Sequence, residues 1–306
     1  MVTQVGELVC EGLTKRYGDT MALDSVSLSV PSSGIFALIG RNGAGKTTLI
    51  RILATEVEPT SGRAWINGID VVKEDKKLRE KIAIVPQEAR TIAWMTPKQT
   101  VLSYLLWRGF GYGEAKNRAA DSLARLGIAK YGDKLNRTLS GGTKRKVLAA
   151  TVLASESEVI FLDEPTTGLD PISRREFWEI LRELGKDRFI FLTTHYLEEA
   201  EQLADRIGIL KEGKLAASGS LDSLRGTIRY QYSVKLPPNV QPPKVVEGEI
   251  MTGKNGETQV LTGEEEAFSI ARKLSESGVR FSVSPVTLDD IFLQLDSESA
   301  TDGDSN

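Results

Sequence analysis

The stretch Ile35-Phe-Ala-Leu-Ile39, followed by Gly40-Arg-Asn-Gly-Ala-Gly-Lys46-Thr47, decides the fold. The apolar run is too short for a helix and reads as a buried strand. The turn after it matches G-x-x-x-x-G-K-[ST] in full, and a helical pattern runs on from Thr48 to Leu53. Strand, glycine-rich turn and helix, in that order, are the context that gives the match weight. Alone it would be a glycine-rich turn with no ligand. In context, the backbone at Gly40, Asn42, Gly43, Ala44 and Gly45 can wrap phosphate oxygens with its N–H groups. The helix start at Lys46, Thr47 and Thr48 adds positive potential. Lys46 is placed for the β- and γ-phosphates, and the Thr47 hydroxyl for Mg²⁺.

Working outward, similar short runs recur at Ile82–Val85, Val159–Leu162, Phe189–Leu192 and Ile207–Leu210. Near-continuous apolar strands separated by helical patterns predict an α/β domain with a mostly parallel sheet. Before Ile69 the pattern alternates instead (Val26, Leu28, Val30; Ala64, Ile66), which predicts antiparallel strands beside that sheet. From about Thr91 to Glu156 the character is helical, opening on Thr96-Pro97, a cap followed by a first-turn proline. After about Arg225 a small α+β appendage is expected. It has a strand through Tyr230, Tyr232 and Val234, a helix from Glu264 to Ser277, a strand at Phe281–Val283 and a last helix from Leu288 to Leu295. The acidic, serine-rich tail 296–306 reads as disordered. The resulting division is 1–224, 225–295 and 296–306.

Composition bounds the chemistry. The 306 residues suggest about two domains, and 40% apolar residues allow a sizeable core. Lys plus Arg is 39 against 42 Asp plus Glu, a net charge of -3, which excludes a strongly basic nucleic-acid binder by bulk charge. One cysteine, Cys10, excludes an intrachain disulfide framework and a Cys-based zinc site. One histidine, His195, excludes a histidine cluster, so any imidazole chemistry must use it. The N-terminus carries Glu7 and Glu11 and does not read as a signal peptide, and no run approaches a membrane span. The expectation is a soluble, cytoplasmic protein.

Two further motifs bear on function. Val159-Ile-Phe-Leu-Asp163-Glu164 puts two acids at the end of a buried strand, where open α/β sheets bind ligands. Asp163 suits the Mg²⁺ side, and Glu164 a base or water-positioning role at the γ-phosphate. Leu139-Ser140-Gly141-Gly142-Thr143 precedes a helical pattern: Ser140 can cap it, and the glycines leave N–H groups exposed. This second anion-binding helix start has no phosphate of its own in a chain with a single P-loop.

LSGGT is similar to the LSGGQ signature of the ATP-binding cassette (ABC) ATPases. With the P-loop and VIFLDE in this order, the chain resembles the nucleotide-binding subunit of an ABC transporter from about Leu8 to Leu224. The resemblance implies a P-loop NTPase cassette using ATP and Mg²⁺. It implies a second cassette paired head to tail, so that Ser140, Gly141 and Gly142 complete the partner's site. Both half-sites look intact, which favours a homodimer. It also implies that Tyr17 stacks on adenine, that Gln87 contacts Mg²⁺ and senses the γ-phosphate, that Asp170 meets the dimer partner, and that His195 contacts the γ-phosphate. Read alone, Gln87 is an ordinary strand-end residue, Gly168-Leu169-Asp170 a turn, and Tyr17 a hairpin residue. Thr143, where the family carries Gln, is a departure. Lys144, Arg145 and Lys146 follow it, a run that suits either a solvated helix face or the phosphates; Lys144 reads as the former.

TTHYLEEAEQLADRIGIL and the closing VTLDDIFLQL resemble exporters of the drug-resistance and polysaccharide/lipid type. That implies separate membrane-spanning permease subunits, a location on the inner face of the cell membrane, and no nucleic-acid partner. The permease-docking surface is expected in the groove between the Gln87 loop and the helical insertion, with Trp94, Met95, Tyr104, Leu105 and Trp107 as candidates, though each suits packing inside the insertion at least as well. Within the family the alternatives are a soluble ATPase acting on ribosomes or nucleic acid, and an importer. The transported substrate stays open.

Overall fold

Alternation and continuity of apolar residues separate two sheets in the first part of the chain. β1 (Glu7–Tyr17), β2 (Thr20–Pro31), β4 (Ser61–Ile66) and β5 (Ile69–Asp70) form an antiparallel sheet in the order β2-β1-β4-β5. On β2, Val26, Leu28 and Val30 are buried while Ser27 and Ser29 face out, the pattern of a sheet with one covered face. β3 (Ile35–Ile39), β7 (Val159–Asp163) and β8 (Phe189–Thr194) are buried throughout. They lie in a six-stranded sheet with β6 (Ile82–Val85), β9 (Arg206–Lys211) and β10 (Lys214–Gly219), in the order β10-β9-β3-β8-β7-β6. The pairs β9/β3, β3/β8, β8/β7 and β7/β6 are all parallel. The α/β expectation therefore holds, with the rings of Phe36 and Phe161 in tilted contact with that of Phe191 on its three central strands.

The computed structural model describes residues 6–227, 229–238, 240–243, 247–252 and 257–292; the acidic tail expected to be disordered lies outside them. By internal contacts the chain divides into two units, Met1–Ser218 and Gly219–Asn306. The short helix α8 (Leu221–Arg225) falls in the second, so the division comes slightly before the expected boundary at 224.

In the first unit, α1 (Lys46–Leu53), α2 (Asp75–Lys81), α5 (Gly141–Ala154), α6 (Pro171–Gly185) and α7 (Leu197–Leu203) pack on the parallel sheet. The helical insertion adds α3 (Pro97–Trp107) and α4 (Tyr112–Arg125), which pack on each other and on α5. Thr96 does cap α3, in a reciprocal box with Gln99. Arg108, at the end of α3, donates to the carbonyls of Ile82 (2.7 Å) and Glu80 (2.9 Å), tying the insertion to the start of β6.

Among the docking candidates, the structure corrects Leu105. It is fully buried, at 0% exposure, in the insertion core, because it falls on the same face of α3 as Val101. Trp94 and Trp107 are exposed at 77% and 82%, and Met95 and Tyr104 are half-buried.

The second unit is an antiparallel sheet, β12-β13-β11-β14, with α9 (Glu264–Glu276) on one face. Val234 and Leu236 of β11 (Tyr232–Leu236) and Val260 of β13 (Thr258–Thr262) pack with Ala267, Ile270 and Leu274. The expected first strand starts later, at Tyr232, and the second is β14 (Ser282–Pro285). β12 (Gly248–Thr252) and β13 have no clear apolar signal of their own. The final helix is seen over 288–292; its predicted end lies outside the described residues. Asp290 of that helix is buried, accepting from Gln259 Nε2 (2.7 Å) and the Thr287 N–H (2.8 Å).

Candidate functional site

The sheet order makes the site. β3, β8, β7 and β6 are neighbours running the same way, about 4.8 Å apart, so their C-terminal ends lie side by side. The P-loop leaves β3, Thr193 and Thr194 end β8 just before His195, Asp163 ends β7 just before Glu164, and Gln87 follows β6. Residues up to 149 positions apart in sequence thereby meet around one carboxylate, that of Glu164.

The P-loop needs its glycines for different reasons. Gly45 has φ +104°, and a Cβ there would sit 2.4 Å from the Ala22 carbonyl oxygen; at Gly40 a Cβ would sit 2.4 Å from that of Leu210. Both positions are closed by backbone that cannot swing aside. Beside Gly43, at φ +83°, there is open space. Lys46 folds back along the loop: Nζ donates to the carbonyls of Gly40 (2.8 Å) and Arg41 (3.1 Å), and lies 3.7 Å from Glu164 Oε1. Burial pushes the ammonium toward losing its proton, and the nearby Glu164 and Asp163 oppose that. Thr47 lies exposed at the helix start, Thr48 is half-buried and Ala44 is buried, while Asn42 is exposed on the loop.

Glu164 sits at φ +47°, a left-handed conformation that costs a non-glycine residue about 1 kcal/mol or more. Two hydrogen bonds hold it there: its N–H donates to the carbonyl and the hydroxyl of Thr193, both at 3.1 Å. The carboxylate is 7% exposed. Its Oε2 accepts from Gln87 Nε2 (3.2 Å) and Thr167 Oγ1 (3.2 Å). His195 Nδ1 approaches the same oxygen at 3.1 Å without the alignment of a hydrogen bond. Asp163, 2% exposed, accepts the Thr193 hydroxyl through Oδ1. Thr193 and Thr167 thus orient both acids. Thr193 opens the TTHYLEEAE stretch and Thr167 lies between the acid pair and Gly168-Leu169-Asp170, but nothing in either run marks the threonine hydroxyl as orienting an acid.

The structure brings Lys46, Gln87, Asp163, Glu164 and His195 together. The P-loop residues run on from Lys46, whereas Ser140, Asp170 and Tyr17 make their contacts elsewhere. Ser140 caps α5, accepting from the Thr143 N–H (3.2 Å), and its hydroxyl also meets that of Thr143 at 2.9 Å. Gly141 has open space around it, whereas a Cβ on Gly142 would meet Ser173 Oγ at 2.7 Å. Asp170 caps α6, accepting from the N–H groups of Ile172 and Ser173 and from the Ser173 hydroxyl. The Ser173 bonds hold its carboxyl below the usual range. Tyr17, 45% exposed, ends β1 with the Lys15 ammonium 5.1 Å from its ring centre.

Chemically, the cluster offers an anion cradle at a helix start, a buried lysine, an oriented aspartate, and a glutamate held between an amide and an imidazole. These are the parts of a nucleotide triphosphatase. Comparison with known proteins gives the same answer. The family model for the ABC transporter matches residues 23–167. The daunorubicin resistance ATP-binding protein DrrA3 of Streptomyces coeruleorubidus is 38% identical over 300 residues, 94% of this chain and 95% of that protein. Among solved structures, an ATP-binding subunit of an ABC transporter superposes with a TM-score of 0.64 at 28% identity, covering 72% of this chain and 92% of its own. A dimeric bacterial ABC transporter cassette superposes with a TM-score of 0.63 at 26% identity, covering 70% and 98%. No helix among the described residues is long and apolar enough to cross a membrane. With this motif order, this sheet and a relative matched along almost its whole length, the chain belongs to the ABC transporter family, as an ATP-binding subunit that hydrolyses ATP to drive transport.

Proposed function

We propose that the chain powers export through separate membrane-spanning permease subunits, from the cytoplasmic face of the membrane, as a homodimer closing on two ATP molecules. The observation that carries the reaction centre is the convergence of Lys46, Gln87 and His195 on Glu164, within 3.1–3.7 Å. In this reading Lys46 trades its two loop carbonyls for the β- and γ-phosphates. Thr47, Asp163 and Gln87 are the residues that would hold Mg²⁺, which neutralises phosphate charge when bound. The fit rests on the donor set: a buried aspartate oriented by Thr193, and the exposed Thr47 that directly follows the buried Lys46. Glu164 accepts the proton of the attacking water, and His195, leaning on the same carboxylate, steadies the γ-phosphate. Tyr17 stacks on the base. Ser140, Gly141, Gly142 and Asp170 meet the nucleotide and surface of the second copy.

Export over import is supported by the resistance name of the DrrA3 relative, and by a match that runs through the appendage. The exposed Trp94 and Trp107 suit a permease-docking face. The test is Mg²⁺-dependent phosphate release from ATP by the purified chain, alone and with its co-expressed permease. Activity should disappear in Lys46→Met. A chain that neither binds ATP nor responds to that substitution overturns the reading.

A further inference from the structure

Glu199 is a buried acid for which the reaction at Glu164 has no use. It lies on α7, four residues after His195, with none of its surface exposed. Trp178 Nε1, on α6, donates to its Oε1 at 3.0 Å. Its other oxygen, Oε2, is buried without an aligned partner, and so is the hydroxyl of Thr166, in the loop after β7. The hydroxyls of Thr166 and of Thr194, at the end of β8, both face the carboxyl. Arg174 of α6 faces it as well but forms no ion pair with it. The guanidinium rests instead 4.1 Å from the centre of the Tyr196 ring, and its Nε is buried without a partner.

An unpaired charge with no exposure is costly. Burial accordingly holds this carboxyl above the usual glutamate range, against the weaker pull of Thr194, Thr166, Trp178 and Arg174. A carboxylate only accepts hydrogen bonds, whereas a carboxylic acid also donates one. A proton on Oε2, donated to Thr166 Oγ1, gives both orphaned oxygens a partner with a single bond. The neutral acid then joins α7 to α6 through Trp178 and to the loop after β7 through Thr166. His195 lies just ahead of these contacts. The Tyr196 N–H on one side of it donates to the Thr194 hydroxyl on the other, at 3.0 Å, and the His195 and Tyr196 rings are 4.1 Å apart. Arg174 and Trp178, four residues apart on one face of α6, thus hold the segment after His195 at two points, Tyr196 and Glu199.

We propose that Glu199 is a positioning residue for His195: as a neutral acid it ties α7 to α6 and to the loop after β7, and so fixes the imidazole that lies 3.1 Å from Glu164. The inference rests on the reading that His195 works at the γ-phosphate. Ionisation of Glu199 removes the donor and leaves a buried charge, so the hold loosens as pH rises through the point where this carboxyl loses its proton.

The test measures ATP hydrolysis by the full chain at saturating ATP, per nucleotide-binding site. Glu199→Leu is close in volume and removes both bonds; kcat should fall by about tenfold or more. Glu199→Gln keeps an acceptor for Trp178 and a donor for Thr166 and cannot ionise. It should restore the rate, and its rate relative to the parent should climb as pH rises. In a His195→Ala chain, adding Glu199→Leu should cost less than about twofold further, because the residue it positions is gone. If Glu199→Leu does not fold, Trp178→Phe, which removes the Nε1–H donor, takes its place, with a loss of about threefold or more and the same dependence on His195. Glu199→Gln as slow as Glu199→Leu, or a ratio to the parent that stays flat with pH, overturns the neutral acid. A folded Glu199→Leu chain at the parental rate, or an equal loss with and without His195, overturns the positioning role. A His195→Ala chain at the parental rate overturns the reading of His195 itself, and is seen without any change at Glu199.

Discussion

Replacing Glu164 by Gln removes one negative charge and little volume from the centre of the site. One oxygen remains as an acceptor, and the new amide donates where the other oxygen accepted. The parent carboxylate holds Gln87 Nε2 and Thr167 Oγ1 and lies 3.7 Å from Lys46 Nζ, both partners of that pair being under 10% exposed. At an effective dielectric constant of about 20, two unit charges at that separation attract by about 4–5 kcal/mol. The net loss on substitution is smaller, because ion desolvation already offsets much of the attraction and Lys46 keeps the Gly40 and Arg41 carbonyls. We expect the folded chain to lose about 1–3 kcal/mol, less than for an uncompensated buried charge. ATP binding should hold or tighten, since Lys46 no longer shares its charge with a carboxylate. Hydrolysis should fall by about 10²–10⁴, the usual worth of a positioned base, or about 3–5 kcal/mol on the barrier. Single-turnover phosphate release measures the rate, equilibrium binding of labelled ATP measures affinity, and size-exclusion chromatography measures the closed dimer that should accumulate. Hydrolysis within about threefold of the parent, with ATP bound, would refute the role given to Glu164.

Other substitutions separate fold from function. Gly45→Ala forces a Cβ to 2.4 Å from the Ala22 carbonyl at φ +104°, so ATP binding should be lost and stability reduced by about 2 kcal/mol or more, read by calorimetry. Trp107→Ala, at an 82% exposed site, should change stability by no more than about 0.5 kcal/mol while reducing co-purification with the permease; Leu105→Ala, fully buried, should cost about 2–5 kcal/mol. Burial pushes the Cys10 thiol from 9.0 up to about 12. Its contribution to stability is complete below pH 9, and falls as pH rises from 9 towards 12 because only the unfolded chain loses the proton there. The slope is about 1.4 kcal/mol per pH unit, and Cys10→Ala should remove that part of the alkaline denaturation curve.

Different elements are legible in the sequence to different degrees. β3 and the P-loop declare themselves because a short apolar run, two glycines at strained or closed positions and a lysine leave few other conformations. Thr96-Pro97 marks the start of α3 to the residue. β12 and β13 stay hidden because their faces depend on pairing in the sheet: Ile250 lies opposite the buried Val260, yet is itself 51% exposed at the sheet edge. Leu105 and Trp107 look alike as apolar residues of one helix, and only the packing of α3 shows that one is core and the other surface.

By itself the sequence determined the kind of protein: an α/β ATPase cassette, its motifs in order, with one histidine available for its chemistry. Motifs are local, and backbone sterics and charge at a glycine-rich helix start act over a few residues. Only the tertiary structure decided what those motifs do to one another. The parallel order β3-β8-β7-β6 sets four strand ends side by side, so that Lys46, Gln87 and His195 share one glutamate and the hydroxyls of Thr193 and Thr167 aim the acids. The same packing left Arg145 beside Arg90 with a buried donor unpaired, a conflict that no short-range pattern of residues reveals.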